Sequence, residues 1–80
     1  MNEASILEQL QDIFRDVFED EEIVLTEETT AADIEGWDSL MQITLTMEAE
    51  QIFHIKFTTD EIVRMKNVGD FVSAIAGKVS

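Results

Sequence analysis

Seven apolar residues near the start of the chain, Ile6, Leu7, Leu10, Ile13, Phe14, Val17 and Phe18, recur with the spacing of one face of an α-helix. A chain of 80 residues that spends its opening on such a face must bury it against other apolar faces. Strand patterns are nearly absent from the remainder, so those faces should be helical too. The helix can start at Asn2 or at Ser5, both good N-caps, and Glu8 would complete a capping box with Ser5. Glu3, Glu8, Asp12, Asp16 and Glu19 fall on the opposite, polar face.

From Asp20 to Trp37 the periodicity stops. The stretch is long for a loop in a small domain, and long loops are often functional. Ile23, Val24, Leu25, Ile34 and Trp37 are available to pin it to a core. Gly36 allows a tight turn, and Asp38 is a good N-cap for a second helix running to about His54. Its apolar positions are Leu40, Ile43, Leu45, Met47, Ala49, Ile52 and Phe53, and Met41 widens the stripe. Such width predicts two-sided burial or an exposed binding surface. Ile55, Lys56 and Phe57 form an extended link. Thr58 with Glu61 makes a capping box for a short helix through Ile62, Val63 and Met65. Asn67 with Asp70 caps a last helix whose face is Val68, Phe71, Val72, Ile75 and Val79. The expected fold is all-α: a small four-helix bundle with a long loop between the first and second helices and a short third helix. Residues 1–80 are expected to form a single domain.

Charge narrows the partners. Asp and Glu number 18 against 5 Lys and Arg, a net charge of −13. Nucleic acid and anionic membrane surfaces are excluded as partners, and basic surfaces are favoured. Between Arg15 and Lys56 there are twelve acids and no Lys or Arg, so mutual repulsion should strain the compact state at low salt. There is no Cys and no Tyr, and only one His. That removes thiolate metal sites and most acid–base or nucleophile constellations, so catalysis is not expected. Apolar runs reach three residues, far short of the roughly 20 a spanning helix needs. Met1 to Ser5 lack the basic and apolar regions of a secretory leader. A cytoplasmic monomer is expected.

Individual residues yield mostly structural readings. Asp20, Glu21, Glu22, Glu27 and Glu28 could gather cations only diffusely. An EF-hand needs alternating oxygen ligands and a glycine at its sixth position, and Gly36 comes too early after Asp33. The acids therefore read as a solvated surface, with no metal site. His54 reads as a helix C-terminal or surface residue, and Trp37 as a loop anchor. Met47 and Met65 read as core, whereas Met41, close to a helix start, reads as exposed. Among the serines, Ser5 reads as a cap or polar-face residue, Ser73 as polar face and Ser80 as the terminus. Ser39 differs. It lies in the first turn of a helix, after a glycine-bearing turn, where unpaired backbone N–H groups and the positive dipole end favour a phosphate. Asp38 opposes that charge somewhat, and by itself an Asp-Ser-Leu triplet reads as a helix cap.

Together, three segments resemble the acyl carrier proteins. Gly36-Trp37-Asp38-Ser39-Leu40 is similar to that family's Asp-Ser-Leu motif. Glu50 to Phe57 resembles the end of its second helix and the linker beyond, and Asn67-Val68-Gly69-Asp70-Phe71 resembles the start of its fourth. The spacings fit without a gap, and the likeness covers nearly the whole chain. It implies that Ser39 bears a 4′-phosphopantetheine arm, transferred from coenzyme A by a phosphopantetheinyl transferase. The arm's thiol would then carry acyl groups as thioesters. Asp38 would serve recognition by the transferase, and Leu40 completes the motif. Met41 and Thr44 stand where fatty-acid-synthesis members are usually acidic, and Gln51 is also neutral, while Glu48 and Glu50 remain. The resemblance therefore implies a dedicated fatty-acid, polyketide or specialised-lipid pathway. Its partners would be acyl-transfer, ketosynthase or ligase-type enzymes that dock on Met41, Thr44 and Glu48 through basic or apolar patches. Ala49 stands where a larger aliphatic residue often lines the acyl cleft, which would widen it. An aminoacyl or peptidyl carrier, or an unmodified acidic helical adaptor, remains as an alternative.

Overall fold

A computed structural model describes residues 2–79; Met1, in the opening read above as lacking leader features, and Ser80, read as the terminal serine, lie outside the described residues. The helices are α1 (Glu3–Val17), α2 (Ser39–Phe53), α3 (Thr59–Arg64) and α4 (Val68–Val79), with the long loop between the first two. Asn2, not Ser5, caps α1: its Oδ1 accepts from the Ser5 N–H at 2.8 Å, which places Ser5 inside the first turn. The capping box of α3 forms in both directions, with Thr58 N–H to Glu61 Oε1 at 2.9 Å and Glu61 N–H to Thr58 Oγ1 at 3.1 Å. Among the described residues no helix is long and apolar enough to cross a membrane.

α1 is the central element and packs on both α2 and α4. Ile6, Leu10, Ile13 and Phe14 of α1 meet Leu45, Ala49 and Phe53 of α2, Val68, Phe71, Val72 and Ile75 of α4, and Leu25 of the loop. Phe14 sits among three rings, with centroids 5.0 Å from Trp37, 5.9 Å from Phe18 and 6.4 Å from Phe71. Short α3 contributes no buried residue.

Three expectations about exposure are corrected. Met47 is 55% exposed rather than core, and Leu40 (71%) and Ile43 (50%) are exposed with it, whereas Met41 is half-buried. The cause is the rotation of α2. Leu45, Ala49 and Phe53, at successive i, i+4 positions, face the core, and Met41 lies one turn before them on that side. Ile43 and Met47 are two residues from Leu45, about 200° round the helix. In the loop, Val24 is 70% exposed and anchors nothing, leaving Ile23, Leu25, Ile34 and Trp37 against the core.

Backbone and polar bonds fix that loop alongside its apolar residues. Arg15 Nε donates to the Ile23 carbonyl at 2.8 Å, and Gln11 Oε1 accepts from the Leu25 N–H at 3.0 Å. The first N–H groups of a helix have no partner within it. At α4 the loop supplies two of them: Val68 N–H donates to the Thr29 carbonyl and Gly69 N–H to the Glu27 carbonyl, both at 2.8 Å. Asn67 Oδ1 accepts the third, from Asp70, also at 2.8 Å. None of the twelve acids between Arg15 and Lys56 joins an ion pair among the described residues. Asp20 and Asp33 instead accept from the backbone N–H of Glu22 and Thr30, each at 3.0 Å.

The close approach at α4 predicts a sensitive glycine. A Cβ on Gly69 would stand 2.8 Å from the Glu27 carbonyl oxygen, so backbone must move. Gly69→Ala should lower the unfolding free energy by about 1–3 kcal/mol, the usual cost of overpacking. Urea melts check it; a midpoint equal to the native one would mean that the loop does not hold this position.

Candidate functional site

The turn into α2 is made by Gly36, whose φ of +89° is a conformation open to glycine and costly for other residues. It hands the chain to Asp38, which caps α2 with extended backbone while its Oδ1 accepts from the Met41 N–H at 2.9 Å. Ser39 is the first helical residue and is exposed. The N–H groups of Ser39 and Leu40 have no hydrogen-bond partner among the described residues, in contrast to the corresponding groups of α4. A hydroxyl at this point stands beside open donors and the positive end of a 15-residue helix, which suits an attached phosphodiester.

Beside Ser39 an open groove of about 780 Å³ runs between the start of α2 and α3. Trp37, Ile43, Ile62, Val63 and Met65 make its apolar walls, and Gln42 supplies an amide. Trp37 packs edge-on to Phe14 as the expected anchor, yet its other side lines this groove. Ala49 is fully buried in the core and does not line the groove, so its small side chain does not widen this cleft. Other hollows of about 650 and 1020 Å³ lie against the acidic loop and do not include Ser39.

The structure brings Asp38, Ser39 and Leu40 together at the start of α2. Thr44 follows on the same helix, its hydroxyl bonded back to the Leu40 carbonyl at 3.3 Å, and Glu48 lies one turn beyond, half-buried. His54 is at the opposite end of α2, exposed, as its left-handed C-cap with φ of 57°. Among the described residues no three acidic or histidine side chains come close enough to hold a metal. The sequence reading missed Gln42 and the part Ile43, Ile62 and Val63 play as groove walls. The available signal was helical spacing, since Gln42 and Ile43 stand three and four residues after Ser39.

α3, the outer wall of the groove, is fastened through Glu61. Its Oε1 accepts from the Thr58 N–H and lies 2.9 Å from Lys78 Nζ on α4. The Thr58 backbone bond, and after it the Lys78 ammonium, hold the Glu61 carboxyl below its ordinary value. A carboxyl with a lowered folded-state pKa adds stability above its unfolded pKa and loses it as pH falls through the folded one. The native chain should therefore melt above Glu61→Gln at pH 7, and the gap should close on acidification below the usual carboxylate range. A gap constant down to pH 3 would show that the charge on Glu61 does not hold α3.

Comparison with known proteins agrees with this geometry. Residues 8–75 match the phosphopantetheine attachment site family. An acyl carrier protein of Coprothermobacter proteolyticus is 29% identical over 75 residues, covering 94% of this chain and 92% of its own. The solution structure of a holo acyl carrier protein from Geobacter metallireducens superposes with a TM-score of 0.85 at 45% identity, over 91% of this chain and 84% of that one.

Proposed function

We propose, for a chain that belongs to the acyl carrier proteins with a phosphopantetheine attachment site, that Ser39 is the attachment residue. Its role is carriage rather than catalysis. The observation that carries Ser39 is its place: an exposed hydroxyl on the first residue of α2, beside unpaired N–H groups and an apolar groove. The residues present fit the arm. Ser39 would bond its phosphate, the Ser39 and Leu40 N–H groups would meet the negative charge, and Asp38 would keep the turn in shape by capping Met41. When attached, the arm supplies a thiol that holds an acyl group as a thioester. Ile43, Ile62 and Val63 offer apolar surface to an alkyl chain.

The partners follow from the modification: a phosphopantetheinyl transferase and enzymes that load and remove acyl groups. We place their docking on the exposed side of α2, where Leu40, Ile43 and Met47 project beside Thr44 and Glu48. Half-buried Met41 offers less of itself than its neighbours. Patches that are apolar at the centre and basic at the rim complement this surface and the net charge of −13. Ketosynthase or ligase-type enzymes of a dedicated fatty-acid, polyketide or specialised-lipid pathway meet that description. The 80 residues would then act as a single monomeric carrier domain in the cytoplasm. The relatives are themselves acyl carriers, which favours acyl over aminoacyl cargo. Incubation with coenzyme A and a broad-specificity transferase, followed by intact mass, tests the reading. One added phosphopantetheine is expected; a chain that is never modified would overturn it.

A further inference from the structure

We infer that Gln42 is a latch on the groove beside Ser39, its amide tying Met65 at the end of α3 to Trp37 of the long loop. An entering chain releases Met65 while the indole stays held. That the entering chain is acyl cargo rests on the function proposed above; the latch itself is a property of the unmodified protein.

The geometry orients the amide. An indole N–H only donates, so the Gln42 carbonyl must face Trp37, and Oε1 accepts from Trp37 Nε1 at 2.7 Å. The NH₂ is then turned to the other wall, where Nε2 reaches Met65 Sδ at 3.5 Å. A thioether is a weak acceptor, so the two bonds are unequal and the one to Met65 yields first. Both are partly buried, which limits competition from water.

The element released is the one least held. α3 has six residues and buries none of them, so its displacement exposes little core. Glu61, in its first turn, ties one end to Lys78, and Gln42 holds the residue that caps the other end, Met65. Freeing Met65 leaves α3 held by Glu61 on Lys78 at one end and by the Lys66 N–H on Asp70 Oδ2 at 2.9 Å beyond the other. Ile62 and Val63, two walls of the groove, can then move away from α2 between those ties. An alkyl chain gives the freed NH₂ no acceptor. The latch therefore resists purely apolar entrants in proportion to the bond they break.

The unmodified full chain serves for the test, with the neutral apolar dye Nile red as probe. Trp37 is the one tryptophan, so its emission reports this site alone. Met65→Leu keeps the volume and the indole bond but removes the sulfur acceptor. It should bind the dye about threefold more tightly, the scale of one weak hydrogen bond, with the Trp37 emission maximum unchanged. Gln42→Leu should tighten dye binding at least as much and also shift Trp37 emission, because the indole loses its acceptor. Thermal melts establish that each variant is folded, and Met65→Leu carries the test should Gln42→Leu not fold. Dye binding equal to native in Met65→Leu would overturn the inference. So would a Trp37 shift in Met65→Leu as large as in Gln42→Leu, since the three side chains would then move as one block. Mass analysis of Ser39 modification on the same proteins is a separate reading, so failure of the latch and failure of the carrier function are told apart.

Discussion

Ser39→Ala should abolish phosphopantetheine loading completely, while Ser73→Ala should load like the native chain. Both serines are exposed, so access does not separate them. What separates them is the backbone beneath. Ser73 lies inside α4, where the N–H groups of the helix are engaged within the ladder. Ser39 is the first residue of α2, where two N–H groups remain open and the dipole is positive. Ser5 lies within α1, half-buried, and its own N–H is taken by Asn2. The expected effect is all-or-none, because alanine has no oxygen to form the phosphodiester. Intact mass after transferase treatment reads it directly. Modified Ser39→Ala would move the attachment site elsewhere, and melts of both variants exclude loss of fold as the reason for any loss of loading.

The start of α2 was legible because its signals are local. Gly36, Asp38 and Ser39 act over a few residues, and a cap depends on side-chain type. The same holds for the Thr58–Glu61 box and for Asn67 with Asp70. α1 and α4 were legible because one face of each is apolar and the other is not. The rotation of α2 was not, since a helix with apolar residues all round offers two candidate faces. Only packing against α1 chooses Leu45, Ala49 and Phe53 over Ile43 and Met47. The docking of the loop on α4 was hidden for a different reason. It runs through the carbonyls of Glu27 and Thr29, which every residue type possesses. Gln11, Arg15 and Gln42 were hidden because polar residues on a helix read as solvent-facing until a partner distant in sequence arrives.

Phe14→Ala should cost about 3–5 kcal/mol of unfolding free energy, a large share of what a small domain has. The site is fully buried. Phe14 lies between Trp37 of the loop and Phe71 of α4, with centroids 5.0 and 6.4 Å away at steep interplanar angles. Edge-to-face pairs of this kind add about 0.5–1.5 kcal/mol beyond burial, so truncation removes packing and ring contacts together. A chain this small buries a modest share of its surface, and ordinary domains have only about 5–15 kcal/mol in all. Phe14→Leu retains most of the volume and should cost clearly less. Because Trp37 rests on Phe14 and also lines the groove, the loss should reach the site as well as the core. Urea melts followed by circular dichroism and by Trp37 emission should coincide in the native chain. In Phe14→Ala the emission should already be that of a solvated indole at low urea. An alanine variant within 1 kcal/mol of native, with Trp37 emission unmoved, would show that the junction of α1, loop and α4 does not depend on this ring.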